Sequence, residues 1–236
     1  MEIPLWVSQT IFGALLVAIF GYVSTGILAP LTRDYLEKRK AKRLVEKEKL
    51  ESKVDCYEKC VNQIEFCTKD ALDDFKHGHG FYREYLSEEA KKKVDDFNDY
   101  YELCRDLLRA VEYVIPQIIQ RLIKSELPET AKTGYALDDA LQEYELKKCY
   151  IAGEKVSVTW LKENKPRLLD NIRKNLKDSE SQLDTFFISL NGEFKNNSVL
   201  NRYRKEKKKL TEFGNQIIND LKSELKSLQK ELSRFQ

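Results

Sequence analysis

From Ile3 through Thr32 this 236-residue chain carries no charged residue at all. Histidine is almost missing too. His77 and His79 are the only two, so imidazole chemistry is confined to one short segment. Catalytic signatures are absent: no G-x-S-x-G, no G-x-x-x-x-G-K-[ST], no G-x-G-x-x-G and no H-E-x-x-H. No reaction and no cofactor is therefore expected. There are five cysteines, an odd number with no C-x-x-C pair. Cys56, Cys60 and Cys67 fall on one expected helix at spacings of four and seven, and buried reduced thiols in a reducing compartment are the simple reading. The five prolines and nine glycines gather at the N-terminal stretch and at a few breaks, which leaves room for long helices. No internal repeat or low-complexity region occurs.

The uncharged run has the length and composition of a transmembrane helix. About 20 apolar residues span a ~30 Å hydrocarbon core. Leu5 to Leu28 holds twelve Leu, Ile, Val or Phe residues, worth roughly 4–7 kcal/mol of gross insertion energy. Its polar residues, Ser8, Gln9, Thr10, Ser24 and Thr25, lie near the ends. A cleaved signal peptide fits less well. The segment before the run contains Glu2 and no basic residue, and the run exceeds a signal peptide's apolar core.

Orientation follows from the flanking charge. Residues 1–32 contain no Lys or Arg, whereas residues 33–49 contain eight. The positive-inside rule places that side in the cytoplasm, giving a single-pass cell-membrane protein with its N-terminus outside. The expected organisation is a transmembrane anchor over 1–32, a basic juxtamembrane stalk over 33–53 and a cytoplasmic helical domain over 54–236. The fold class is all-α: one membrane helix, a long stalk helix and a helical bundle.

Within the soluble part, Leu31 to about Phe75 reads as one helix, nearly all polar at first. It then gains a stripe of Val54, Tyr57, Val61, Ile64, Cys67 or Thr68, Ala71 or Leu72, and Phe75 at spacings of three and four. Ser87 is a good N-cap, followed by Glu88 and Glu89. The stripe behind it is Ala90, Val94, Phe97, Tyr101, Cys104, Leu108, Val111 and Ile115. Pro116 is expected to kink this helix, with Gln117 to Lys124 continuing it. Ser125 to Gly134 reads as a loop, and Tyr135 to Tyr150 as one helix with Leu137, Leu141, Tyr144 and Lys148 near one face. Val156 to Trp160 alternates like a strand but has no second strand to pair with, so helix or loop is favoured. Pro166 fits the first turn of a helix through about Leu190, with Asn191 to Asn197 as a turn. In the last helix, Ile218, Leu221, Leu225, Leu228, Leu232 and Phe235 form a coiled-coil-like seam. It suits packing against the long first helix or, alternatively, against another chain.

Four groups of residues are candidates for function. Gly13, Ala14, Ala18, Gly21 and Thr25 give small-x-x-x-small spacing, which lets membrane helices approach closely. Arg33, Lys38, Arg39, Lys40, Lys42 and Arg43 could contact anionic lipid, each nearby cation contributing ~1 kcal/mol. The same run serves equally as a topology signal, and Asp34, Glu37, Glu46 and Glu48 dilute it. Arg202, Arg204, Lys205, Lys207, Lys208 and Lys209 form a possible anion-binding patch, although Lys/Glu-rich helix faces produce such runs often. His77 and His79 with Asp73 and Asp74 could be imagined around a metal, but a glycine-flanked loop holds ligands poorly. With a net charge of only +2, the chain as a whole is not a bulk nucleic-acid binder.

The expected function is a membrane-anchored interaction or scaffold protein. Its partners are membrane lipid and either another protein or further copies of itself, with a small anionic ligand possible. The alternative is a membrane effector of defence or toxin type, whose soluble domain senses a ligand and whose membrane helices associate to perturb the bilayer.

Overall fold

Residues 21–22, 29–69, 83–132 and 135–235 are described by a computed structural model of the chain. The protein is all-α: every regular element among these residues is a helix. They are α1 (Ala29–Lys69), α2 (Glu88–Glu126), α3 (Pro128–Ala131), α4 (Ala136–Leu141), α5 (Tyr144–Ala152), α6 (Val158–Asn164), α7 (Pro166–Asn175), α8 (Glu180–Asn196) and α9 (Ser198–Leu232). A 3-10 turn, Ser233–Phe235, comes after α9. Among the described residues no helix is long and apolar enough to cross a membrane. The expected span lies almost wholly outside them, with only Gly21 and Tyr22 of its core included. The His77–His79 segment also lies outside.

The chain divides into two compact units. One comprises Met1–Cys56 and Glu224–Gln236, the other Tyr57–Ser223. In the first, α1 from Thr32 to Lys49 is exposed at every residue but Lys47, which is half-buried. Leu36, Leu44 and Val45 are more than half exposed there. No apolar stripe exists in this stretch for another element to cover. Burial begins with Leu50, and Val54 is half-buried. Leu225, Leu228, Leu232 and Phe235 are half-buried in the same unit.

The second unit is organised around α2. The Ser87 hydroxyl caps it, accepting from the Ala90 amide at 3.2 Å. All eight expected stripe residues, Ala90 to Ile115, are buried. The helix continues through Pro116 to Glu126 and buries Ile118, Ile119, Leu122 and Ile123 as well. It packs on α3, α4 and α8, while α7 packs on α4 and α6. One continuous core runs from Leu108 through Leu141, Tyr150, Leu169, Phe186 and Phe194 to Tyr203. Where α1, α2 and α9 meet, Gly214 is buried. A Cβ there would collide with the Thr68 methyl and lie 2.9 Å from the Phe97 ring, so only glycine lets the helices approach this closely. Cys56, Cys60, Cys67 and Cys104 are buried and Cys149 is half-buried, and none of the five is in a disulfide.

Several expected boundaries move. The segment read as a loop from Ser125 holds the end of α2 and the short helix α3. Pro128 starts α3 because its missing N–H is not needed in a first turn. The helix expected over Tyr135–Tyr150 is broken at Gln142–Glu143, which turns Leu146, Tyr150 and Ile151 inward and leaves Tyr144 exposed. Val156 to Trp160 follows the favoured helix-or-loop reading, with a helix starting at Val158. Ser157 caps α6, its hydroxyl accepting from the Trp160 amide at 3.0 Å. The helix expected from Pro166 to Leu190 is two helices separated at Leu176–Ser179, and Asn191–Asn196 is the last turn of α8 rather than a turn between helices.

Candidate functional site

The basic run of α9 is a helix face with two different fates for its cations. The side chains of Arg202, Lys205, Lys208 and Lys209 are exposed; those of Arg204 and Lys207 are half-buried. Arg204 reaches across to two helix ends. Its Nε donates to the Ile151 carbonyl at 2.9 Å and Nη2 to the Tyr150 carbonyl at 2.6 Å, both in the last turn of α5. Nη1 donates to the Phe194 carbonyl of α8 at 3.3 Å and to Asn201 Oδ1 at 2.9 Å. These carbonyls are the orphan acceptors of helix C-termini, where a cation also meets the negative end of the dipole. Desolvation lowers the pKa of this guanidinium from its usual value. Gly153 makes the approach possible. At φ +83° it occupies the left-handed region, and a Cβ there would sit 3.3 Å from the guanidinium.

Lys207 Nζ similarly donates to the Cys67 carbonyl at 2.9 Å, one turn from the end of α1. Lys209 lies 3.1 Å from Glu206, whose carboxylate also accepts from the Tyr100 hydroxyl. The Tyr100 bond and the Lys209 bond hold the Glu206 carboxyl below the usual range. Lys208 stands 3.9 Å from Glu212. Two of the six cations are thus committed to backbone carbonyls, and Arg202, Lys205, Lys208 and Lys209 are the members that face solvent.

A cleft of about 370 Å³ beside Arg204 is lined by Tyr150, Phe194, Lys155, Lys195 and the exposed Ile188. Tyr150 and Phe194 pack ring on ring with centroids 4.5 Å apart. The Tyr150 hydroxyl is buried with no hydrogen-bond partner among the described residues. Asn191, on the same side, holds Val156 through both backbone groups. Its Oδ1 accepts from the Val156 amide at 3.1 Å and its Nδ2 donates to the Val156 carbonyl at 2.7 Å. One side-chain amide thereby does what a neighbouring strand would do.

On α1, Arg33 pairs with Glu37 at 3.1 Å and Lys38 with Asp34 at 2.9 Å, both exposed i,i+4 pairs. Such pairs contribute only ~0.3–0.5 kcal/mol. Arg39, Lys40, Lys42 and Arg43 are exposed and have no ion pair or side-chain hydrogen bond among the described residues. Of the small-residue set, Gly21 is exposed and has open space where a Cβ would stand. Gly13, Ala14, Ala18 and Thr25 lie outside the described residues. Among the described residues no three His, Cys, Asp or Glu side chains group to hold a metal ion.

The sequence reading missed the most specific polar site of the second unit. The Asp178 carboxylate accepts from the Glu129 amide at 3.1 Å, the Thr130 amide at 2.7 Å and the Thr130 hydroxyl at 2.5 Å. It caps α3 from 48 residues away in the chain. Burial acts to raise its pKa, but the bonds from Thr130 and Glu129 outweigh that and hold it low. The signal in the sequence was the proline at α3's first turn with no local N-cap side chain before it. Comparisons with family models, with the curated proteins and with the solved structures found no match.

Proposed function

We propose that this chain is a single-pass membrane protein whose helical domain works in the cytoplasm as an interaction scaffold. One observation carries the reading. An uncharged run of thirty residues, Ile3–Thr32, leads directly into a helical stretch that is solvent-exposed from Thr32 to Lys49. A helix exposed along nearly all of this length gains little from packing. Its use is as a spacer between the uncharged run and the helical domain. The cationic side chains on it support retention on the cytoplasmic side.

A second copy of the chain is the proposed partner. Leu225, Leu228 and Leu232 of α9 remain half-buried, and Leu44 and Val45 of α1 stand exposed in the same unit. That apolar surface is suited to completing a multi-helix coiled coil. The test is expression of the full chain with a tag at each end. Carbonate-washed membranes should retain the protein, the tag at Gln236 should be shielded in intact cells, and crosslinking should yield a dimer or larger homo-oligomer. Release by carbonate, or a C-terminal tag accessible only from outside, would overturn the anchor. A strictly monomeric crosslinking pattern would overturn the self-association.

A further inference from the structure

The stripe on α1 changes chemistry without changing period. Val54 and Leu50 give way, towards the N-terminus, to Lys47, Arg43 and Lys40 at the same spacings of three and four. These are seam positions, where a neighbouring helix calls for apolar side chains. The neighbour is present. Arg234 and Phe235, from the turn that ends α9, line one open cleft with Lys40, Arg43 and Lys47. Four cations therefore converge, and only two carboxylates, Glu46 and Glu231, share the cleft with them.

Neither carboxylate forms an ion pair with these cations among the described residues. Lys47 is 3.6 Å from Glu51, an exposed pair. Lys40, Arg43 and Arg234 make no ion pair or side-chain hydrogen bond among the described residues. Four cations against two carboxylates leave the cleft net positive, and an anion bound there gains favourable Coulomb energy. Arg43 and Arg234 come from different helices and offer planar forks that match phosphate oxygens. The cleft measures about 780 Å³, within the range of small-molecule sites. Leu44 and Phe235 in its wall supply an apolar surface for an organic body.

We propose that this cleft binds a phosphate-bearing small molecule. Distance favours a soluble source over a lipid headgroup. At 1.5 Å per residue, Lys40, Arg43 and Lys47 lie about 12, 17 and 23 Å beyond Thr32 along the helix. The headgroup layer on one side of a bilayer is only about 5–8 Å thick. A stalk standing upright carries the cleft clear of the headgroups and into water. The inference stands apart from the anchor: a chain that washes off membranes could still bind the anion.

The test uses the full chain in non-ionic detergent, titrated with inorganic pyrophosphate against chloride at matched ionic strength. Saturable binding, read as a rise in melting temperature, is expected. Arg43→Gln and Arg234→Gln should each weaken it roughly tenfold, and together about a hundredfold. The pair Lys162→Gln on α6 and Lys174→Gln on α7, both exposed and outside every cationic group described above, should leave it unchanged. Circular dichroism checks that the variants stay helical, and the exposed Arg234→Gln serves alone if the double variant does not. In vesicles, equal pyrophosphate affinity with phosphatidylcholine alone and with added phosphatidylglycerol supports the soluble source. Weaker affinity with phosphatidylglycerol would overturn that source and assign the cleft to the headgroup. No saturable response, or a double variant that binds as the parent does, would overturn the proposal.

Discussion

Arg204 sits in a run of six cations, yet its guanidinium is spent on carbonyls of α5 and α8 rather than left for a ligand. Charge density in the sequence shows where cations are, but not which of them meet helix ends from distant parts of the chain. Arg204→Ala should cost about 2–4 kcal/mol in urea unfolding, because it strips the donors from the Ile151 and Phe194 carbonyls and leaves the Tyr150 carbonyl only the Gly153 amide. Arg204→Lys should recover less than half, since one ammonium cannot bridge two helix termini. A variant as stable as the parent would show that these bonds contribute little. Tyr150→Phe should go the other way. It removes a buried hydroxyl that has no partner among the described residues, so unfolding should be unchanged or up to about 1 kcal/mol harder. Asp178 sets a pH dependence. Its folded pKa lies below the unfolded value of about 3.9. The stability it supplies is therefore complete above that value and lost as pH falls through the folded pKa. Glu65 and Glu206 are also held low, mainly by their bonds with Lys222 and Tyr100, and act with the same sign. Asp178→Asn should shrink the fall in melting temperature below about pH 4; an unaltered acid profile would count against the cap.

Helix α2 was legible residue by residue because its face is long and unbroken: eight apolar positions at three-four spacing admit one reading. The shorter helices were not, because tertiary bonds set their ends. Leu176 to Ser179 breaks an otherwise helical stretch. There Lys177 donates its amide to the Thr130 hydroxyl at 3.0 Å, and Asp178 turns away to cap α3. Neither partner is local. The start of α8 did leave a local mark. Ser179-Glu-Ser-Gln182 is a capping-box pattern, and the Ser179 amide donates to the Gln182 side chain at 2.9 Å. Asn191 is a similar case. Its pairing with Val156 explains why an alternating segment stays out of a sheet, since both backbone groups of Val156 are already occupied. Asn191→Ala should therefore destabilise the second unit by about 2–3 kcal/mol, leaving an amide and a carbonyl unserved. Asn191→Asp should also destabilise it, because a carboxylate has no hydrogen to give the carbonyl. Denaturant midpoints near that of the parent for either variant would contradict the account.

For the whole molecule, the polar first half of α1 was legible from its lack of an apolar stripe: Thr32 to Lys49 is exposed apart from the half-buried Lys47, and burial starts at Leu50. The cationic cleft was not. Lys40 and Arg43 stood out as members of a basic run, but nothing local ties them to Arg234 and Phe235, nearly two hundred residues away in the chain. The difference in packing between the stalk and the second unit has a kinetic consequence. A helical stretch without tertiary support is marginal in water and opens often, whereas a helix with a dozen buried side chains opens only with its unit. Trypsin should therefore cut the full chain first between Arg33 and Lys49, with cleavage at Arg105 or Arg121 of α2 appearing much later. Mass spectrometry of early digestion products checks the order. If the cleft also holds a phosphate ester, pyrophosphate should slow the cuts after Lys40 and Arg43 while leaving the cut after Arg33 at its original rate. Slowing of all three together would mean that the anion acts on the protease or on the ionic atmosphere. Early cleavage within α2 would show that the second unit opens as readily as the stalk, and the contrast drawn from burial would be wrong.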